Sequence, residues 1–273
     1  VVFLSTVTPA PAMTAPRVLV VLGRNSQAAV VETFAGIGPA AGFTNAVTEI
    51  ELGAGAVLDH YRLQRESESA FHIGHTGFHL GRSSRSSSHA VAFGGLIARH
   101  DAVAVLGDEG ADCILNGLYL ADGDRLIDNH TEIDHAMPHG SSHELYKGIL
   151  GGHSRGVFNG RIRVRPDAQK TDAKQTNKTL LLSGDAQINT KPQLEIFAND
   201  VKCTHGATVG QLSRDALFYL RTRGIGVEEA KSLLVKAFAT DVTSRMGLEP
   251  VRAELDRLLG ARLPGALAAG LLT

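Results

Sequence analysis

Short stretches in which two apolar residues flank a third residue recur along most of the chain. They occupy residues 71–73, 78–80, 91–93, 103–105, 118–120, 162–164 and 194–196. Because side chains alternate between the two faces of an extended strand, each stretch predicts a strand with both apolar residues on one face. The clearest case is residues 161–165, in which Ile162 and Val164 would point inward and the three arginines outward.

These strands are short and evenly spaced, and no long helical pattern interrupts them before residue 213. This excludes a fold of β-α-β units, which needs a crossover helix between parallel strands. Residues 53–63, 110–120 and 154–164 resemble one another weakly. Repeated strand–turn units favour a solenoid, and on this pattern alone a β-sandwich or a barrel stays open as the alternative.

The pattern becomes helical after residue 212. Ser213 is suited to cap a first helix, two glycines then interrupt the chain, and apolar residues recur at helical spacing from Val227 onward. A third helix is expected to begin near Pro250, since proline suits the first helical position. The sequence therefore predicts a β domain over residues 1–212 and a small helical domain over residues 213–273.

Composition and charge argue against several classes of function. The 273 residues carry 27 basic and 28 acidic side chains, a formal net charge of −1, so there is no electrostatic case for binding nucleic acid. No apolar run is long enough to span a bilayer, which argues against a membrane protein. The two cysteines do not make a disulfide framework, and a reducing compartment is the expected location.

The densest group of chemically active side chains lies in residues 199–210, where Cys203 and His205 are two positions apart. On a strand they would project from the same face. A thiolate and an imidazole both suit iron and iron–sulfur sites, but two ligands do not complete a site, so a partner chain would have to supply the rest. The structural alternative is a small buried cysteine beside a hydrogen-bonded turn histidine.

Other candidates are weaker. The histidines that crowd the first half and the middle of the chain do not define a zinc triad, and they are expected in turns and on the surface. They are His72, His75, His79, His89, His130, His135, His139, His143 and His153. Residues 81–88 are expected to form a turn between solenoid rungs, and Cys113 to pack in the core. The absence of a nucleophile elbow or a dinucleotide fingerprint weakens an enzymatic interpretation.

Residues 198–212, Ala-Asn-Asp-Val-Lys-Cys-Thr-His-Gly-Ala-Thr-Val-Gly-Gln-Leu, resemble the signature of the SufB/SufD family. Residues 217–225 continue the likeness, residues 169–182 and 191–196 resemble the SufD branch, and residues 16–32 resemble the entry into the family's β domain. The resemblance implies a right-handed parallel β-helix followed by a small helical domain. Relatives also carry an N-terminal helical region; its absence here, together with Val1, implies a sequence that begins partway through the protein.

The same resemblance implies a non-catalytic scaffold subunit for iron–sulfur cluster assembly. A SufB-like subunit would pair with the β-helix, with a homodimer as the alternative in isolation, and a SufC-like ABC-type ATPase would bind the C-terminal helices. The transient cluster would form at the interface with the SufB-like subunit, with His205 as a ligand and Cys203 as a second interface position. The expected location is the cytoplasm, or alternatively the plastid stroma.

Residues 215–245 are the expected docking surface for the ATPase. Its central part consists of Leu217, Phe218, Tyr219, Leu220 and Arg221. Three other interpretations remain to be compared: the SufB branch of the same family, a β-helical polysaccharide lyase or hydrolase, and an adaptor without metal chemistry. The upstream segments and the lack of further cysteines argue against the first, and no carboxylate constellation supports the second.

Overall fold

The structure, a computed structural model, describes residues 1–6, 12–38 and 41–262. These residues form sixteen strands and three helices. The strands are β1 (Val2–Thr6), β2 (Met13–Thr14), β3 (Arg17–Leu22), β4 (Gln27–Ile37), β5 (Phe43–Leu52), β6 (Val57–Arg65), β7 (Phe71–Leu80), β8 (Arg85–Ala92), β9 (Ile97–Leu106), β10 (Asp112–Ala121), β11 (Leu126–His135), β12 (Ser141–Leu150), β13 (Arg155–Val164), β14 (Asp172–Leu181), β15 (Gln187–Ile196) and β16 (Lys202–Gln211). The helices are α1 (Arg214–Thr222), α2 (Val227–Thr243) and α3 (Glu249–Arg262).

The strands form two parallel sheets that the chain visits in turn. Sheet A has the order β1-β4-β6-β8-β10-β12-β14-β16, and sheet B the order β15-β13-β11-β9-β7-β5-β2, with β3 also paired to β5. Equivalent side chains on successive turns lie close together, as the bonded pairs His60–Ser88 and Gln175–Glu144 illustrate, 28 and 31 residues apart in sequence. This confirms the predicted parallel solenoid and rules out the sandwich and the barrel.

One corner of the solenoid is a stack of tight turns in the left-handed backbone region. The residues with positive φ in this stack are Asn25, Gly55, Ser83, Gly110, His139 and Lys170. Each turn donates a backbone hydrogen bond to the next turn; for example, the amide of Ser83 binds the carbonyl of Glu109. The predicted turn within residues 81–88 belongs to this stack, although its last four residues already lie in β8.

Alternation along the strands decides which side chains enter the core. Ile162 and Val164 point inward and are fully buried, as predicted. At residues 71–73 the opposite holds: Phe71 is largely exposed, and His72 between the two apolar residues is the buried one. The apolar pair at 118–120 also points outward, because helices cover that face of sheet A.

The C-terminal helices return over the outer face of sheet A. Val235 of α2 and Leu255 of α3 pack in one buried cluster with Leu118 and Leu145 of the sheet. The amide of Leu248 donates a hydrogen bond of 3.1 Å to the Tyr61 hydroxyl. The predicted boundary after residue 212 falls between β16 and α1. Its status as a domain boundary remains a prediction, and residues 263–273 lie outside the described part.

Candidate functional site

Cys203 and His205 lie on β16, the last strand of sheet A. In the parallel register Cys203 is beside Ala173 and His205 is beside Gln175. Ala173 and Gln175 are both buried and point into the solenoid, so the two candidate ligands continue rows of inward-facing side chains. The structure thus places the thiol and the imidazole on one face of the last rung, at the end of the interior.

The two side chains differ in exposure. Cys203 is half-buried against the apolar core, and His205 is exposed. Burial raises the pKa of the Cys203 thiol, and the negative charge of Asp172 adds to the effect. The thiol is therefore protonated at neutral pH in this chain alone, and a metal would have to displace that proton to bind the sulfur.

The two candidate ligands do not by themselves make a metal site. Within residues 1–6, 12–38 and 41–262, no group of three or more His, Cys, Asp or Glu side chains is close enough together to hold a metal ion. Exposed apolar side chains lie on or beside the last two strands: Ile196, Phe197 and Val209. We call these three residues together with His205 the end face. A protein surface that combines exposed apolar groups with an unfinished ligand set is suited to a partner chain.

Helix α1 carries the predicted docking residues. Ser213 caps it as expected, its hydroxyl accepting a hydrogen bond of 3.2 Å from the amide of Ala216. No residue of α1 is buried, and Phe218 and Tyr219 are 70% and 58% exposed. One side of α2 packs on sheet A. The accessible surface within residues 215–245 therefore consists of α1 and the side of α2 that faces away from the sheet.

The sequence analysis missed an ionisable network inside the first turns of the solenoid. The Glu32 carboxylate accepts hydrogen bonds from Thr48 (2.8 Å) and from His60 Nε2 (2.9 Å), and His60 Nδ1 binds the Ser88 hydroxyl at 2.9 Å. Burial opposes the ionisation of Glu32, but the hydrogen bond from His60 and the nearby charges outweigh it and lower the pKa. This series has the connectivity of a hydrolase triad, and all three of its side chains are buried in the interior.

A second carboxylate, Glu66, completes the network. It accepts a hydrogen bond of 2.6 Å from His72 Nδ1, and His72 Nε2 contacts the guanidinium of Arg62. Burial lowers the pKa of Arg62, while the charges of Glu32 and Glu66 raise it. Two buried carboxylates around one guanidinium satisfy the rule that buried charges are paired.

These contacts correct the expectation for the histidines. His72, His89 and His135 are buried inside the protein, not in turns or on the surface, whereas His79 and His153 are exposed as expected. The sequence held a signal for the burial of His72. It lies between two apolar residues of a strand, and the middle residue of such a stretch faces the opposite side from its neighbours. Cys113 is fully buried in the core, as predicted.

Comparison with known proteins decides the family. The family model described as the SufBD core domain of the SUF system for iron–sulfur cluster assembly matches residues 4–238. The chain belongs to the SufBD family. The match contains the whole solenoid rung that carries Cys203 and His205, together with α1.

Three curated relatives of this SufBD chain are similar over most of its length. An iron–sulfur cluster assembly SufBD family protein of Synechocystis is 37% identical over 268 residues, 95% of this chain and 59% of the relative. The iron–sulfur cluster assembly protein SufD of Escherichia coli is 36% identical over 244 residues, 89% of this chain and 58% of the relative. The chloroplastic protein ABCI7 of Arabidopsis thaliana is 35% identical over 241 residues, 87% of this chain and 50% of the relative.

The SufBD chain thus spans about half to three fifths of the length of these relatives. Family membership links it to iron–sulfur cluster assembly. In the described part of the chain, no helix combines the length and the apolar character that crossing a membrane requires.

Proposed function

We propose that this chain is a SufD-like, non-catalytic scaffold subunit, and that it binds a nascent iron–sulfur cluster together with a SufB-like partner. The observation that carries the proposal is the position of Cys203 and His205. They share a face of the last rung, where among the described residues no strand pairs with the outer edge of β16. A ligand set that is open at the end of a solenoid can be completed by a second chain and emptied when the two chains separate.

The cluster is cargo in this proposal, shared transiently between the two subunits. His205 supplies an imidazole that is already accessible, and Cys203 supplies a sulfur whose proton must first leave. Exposed apolar residues of the end face give the partner chain surface to bury. The chain would work in the cytoplasm or the plastid stroma, in line with relatives from bacteria and a chloroplast.

Replacement of His205 tests the cluster site. The full-length protein that contains this chain is co-expressed with SufB-like and SufC-like partners and purified without oxygen. The cluster is then measured by visible absorption. We expect His205→Ala to lose most of the cluster absorption, because it removes the exposed imidazole of the proposed ligand pair, and Cys203→Ser to lose part of it. Thr204→Ala, on the opposite face of the same strand, is the matched control and should keep the wild-type spectrum.

Complex formation is measured on the same samples. If His205→Ala forms the complex and keeps the full cluster absorption, the chain is an adaptor without metal chemistry, and the proposed ligand role is wrong.

The ATPase would bind the exposed residues of α1. The support is the exposure of Phe218 and Tyr219, two large aromatic side chains on one short helix. Clusters of this kind are enriched at protein interfaces. The outer side of α2 lies next along the chain and would extend the surface.

Charged substitutions on α1 test this surface. We expect the double variant Leu217→Asp and Leu220→Asp to lose co-purification with the ATPase, since buried unpaired carboxylates in an interface are costly. Ala253→Asp, on the exposed side of α3, is the control and should still co-purify. Retained binding of the double variant would remove α1 from the proposal.

A further inference from the structure

A cavity of about 560 Å³ lies on the outer face of sheet A, beside the C-terminal end of α2. Its floor consists of outward-facing residues of β8, β10, β12 and β14, and Asp241 and Arg245 line it from the side of α2. We call it the outer cavity. Its volume is in the range of cavities that hold small molecules. Cys203 and His205 lie on the opposite face of the sheet and are not part of it.

At the β8 side of the outer cavity, His89 holds two polar side chains in place. Burial lowers the pKa of His89, so its ring is neutral near pH 7. Its Nδ1 accepts from the Asn116 amide nitrogen at 3.4 Å, so its Nε2 carries the proton and donates to the Ser87 hydroxyl at 3.1 Å. The hydroxyl proton of Ser87 and the second amide proton of Asn116 can therefore be donated to a ligand, since both residues line the cavity.

At the β14 side, two lysines bring positive charge to the outer cavity. Lys174 and Lys178 are exposed and line it together with Thr176, which lies between them. Neither lysine has an ion pair within the part of the chain that the structure describes. Burial lowers the pKa of the neighbouring Lys147 against its bond to Asp241, and the charges of Lys178 and Arg245 lower it further. Like charges thus crowd together here.

The acidic groups nearby do not balance these lysines. Glu144 contributes to the lining, but its carboxylate points inward and accepts a hydrogen bond from Gln175. Asp241 faces the cavity and is already shared between Lys147 at 2.7 Å and Arg245 at 3.4 Å. Positive charge is therefore left over at the outer cavity, although the net charge of the whole chain is −1.

Arg245 adds less to this excess than its formal charge suggests. Its Nε donates a hydrogen bond of 2.9 Å to the carbonyl of Asp241, at the end of α2 where the helix dipole is negative. The charge that remains for a ligand is mainly that of Lys174 and Lys178. Lysine binds phosphate groups as a point charge.

We propose that the outer cavity binds the diphosphate group of a small molecule. Lys174 and Lys178 are four residues apart on one strand, so their Cα atoms are about 13 Å apart, and the Thr176 hydroxyl lies between them. This spacing favours two adjacent phosphates over one, because each phosphate then meets one ammonium group without the two side chains having to bend toward each other.

The remaining floor of the outer cavity suits an organic group attached to the diphosphate. Leu145 of β12 and Ile114 of β10 lie between the lysines and the two polar side chains that His89 holds. Ile114 keeps part of its surface accessible. Strands β8 and β14 are three strand spacings apart, about 14 Å. The cavity therefore fits an organic diphosphate with hydrogen-bond acceptors at its other end, and pyrophosphate is the smaller source of the same group.

Titration calorimetry tests the diphosphate site on the full-length protein that contains this chain, without its partners. We expect pyrophosphate to bind with a dissociation constant in the micromolar range, and inorganic phosphate to bind at least tenfold more weakly. Lys178→Gln should weaken pyrophosphate binding at least tenfold. Lys191→Gln, which removes one exposed lysine from the outer face of sheet B, is the matched control and should keep the wild-type affinity.

Thermal unfolding shows whether each of these variants is folded, and both substitutions are at exposed positions that should tolerate glutamine. Absence of pyrophosphate binding would overturn the proposal. Phosphate binding as tight as that of pyrophosphate, or equal losses in Lys178→Gln and Lys191→Gln, would overturn it as well.

ADP distinguishes the two sources of the diphosphate group. We expect ADP to bind at least tenfold more tightly than pyrophosphate, because its organic part would cover Ile114 and Leu145, and Lys178→Gln should weaken both ligands. Equal or weaker binding of ADP would assign the site to pyrophosphate itself. These measurements do not involve Cys203, His205 or a cluster, so their outcome is independent of the proposed function.

Discussion

Two histidine side chains are buried in the folded chain, His135 inside the solenoid and His89 beneath the helices, and they affect how its stability depends on pH. His135 is fully buried, and its Nε2 is bonded to the Ser142 hydroxyl at 2.9 Å. Burial lowers the pKa of His135 to about 4, against a small opposing effect of Asp134. His89 behaves alike: burial, with the nearby His60 and Arg245, lowers its pKa to about 4.

The lowered pKa of His135 predicts acid sensitivity. Between about pH 6.5 and pH 4 the unfolded chain binds the proton and the folded chain does not, so the free energy of unfolding falls as pH falls through this window. The loss from one such histidine is at most about 3 kcal/mol. We expect His135→Leu to have a flatter stability profile in this window, measured by urea unfolding at several pH values.

His153→Leu, at an exposed position, is the control for His135→Leu and should keep the wild-type slope. If both variants keep that slope, burial of His135 does not cause the acid sensitivity.

At the scale of elements, the helices and sheet A stabilise each other. Much of the outer face of the sheet is apolar where α2 and α3 cover it. Lys147 is a charged residue on the covered face. Its ammonium group binds Asp241 at 2.7 Å and the carbonyl of Phe238 at 2.9 Å, and it lies above the Phe238 ring. The helices are thus fixed to the sheet by both apolar packing and the buried charge of Lys147.

Two residues of β10 mark the edge of the part of sheet A that the helices cover. Leu118 is buried under the helices, and Ile114, on the same face, is only partly buried. We expect Leu118→Ala to reduce the free energy of unfolding by roughly 2–5 kcal/mol because it leaves a cavity, and Ile114→Ala by about 1 kcal/mol. Chemical denaturation measures both, and equal losses would show that the helices do not bury this face in solution.

At the scale of the whole molecule, strand alternation and repetition favoured a solenoid but left a sandwich or a barrel open, and the resemblance to the SufB/SufD family specified the parallel β-helix. Helical spacing predicted the three helices. They could not decide which face of each strand points inward. At residues 71–73 the core side belongs to His72, because Glu66 and Arg62 bind its imidazole in the interior. At 118–120 the apolar pair faces helices that are distant in sequence.

The candidate site shows the same limit. The spacing of Cys203 and His205 predicted a common face, and the structure places them so. His205 ends the row of Glu144 and Gln175, and Cys203 ends the row of Ala173. Both positions depend on the number of rungs and on the register. Neither can be deduced from a two-residue motif. Their role as cluster ligands remains a prediction.

The stacked left-handed turns allow the chain to change length in whole steps. Each circuit adds one strand to each sheet and one turn to the stack, and neighbouring strands lie about 4.8 Å apart. Gain of a complete circuit would move the ends of the solenoid apart by that increment, and loss of one would bring them together by it, while the alternation of every other strand is preserved. A one-residue insertion within a strand would instead exchange its inner and outer faces. The length of the solenoid is therefore set by its number of circuits.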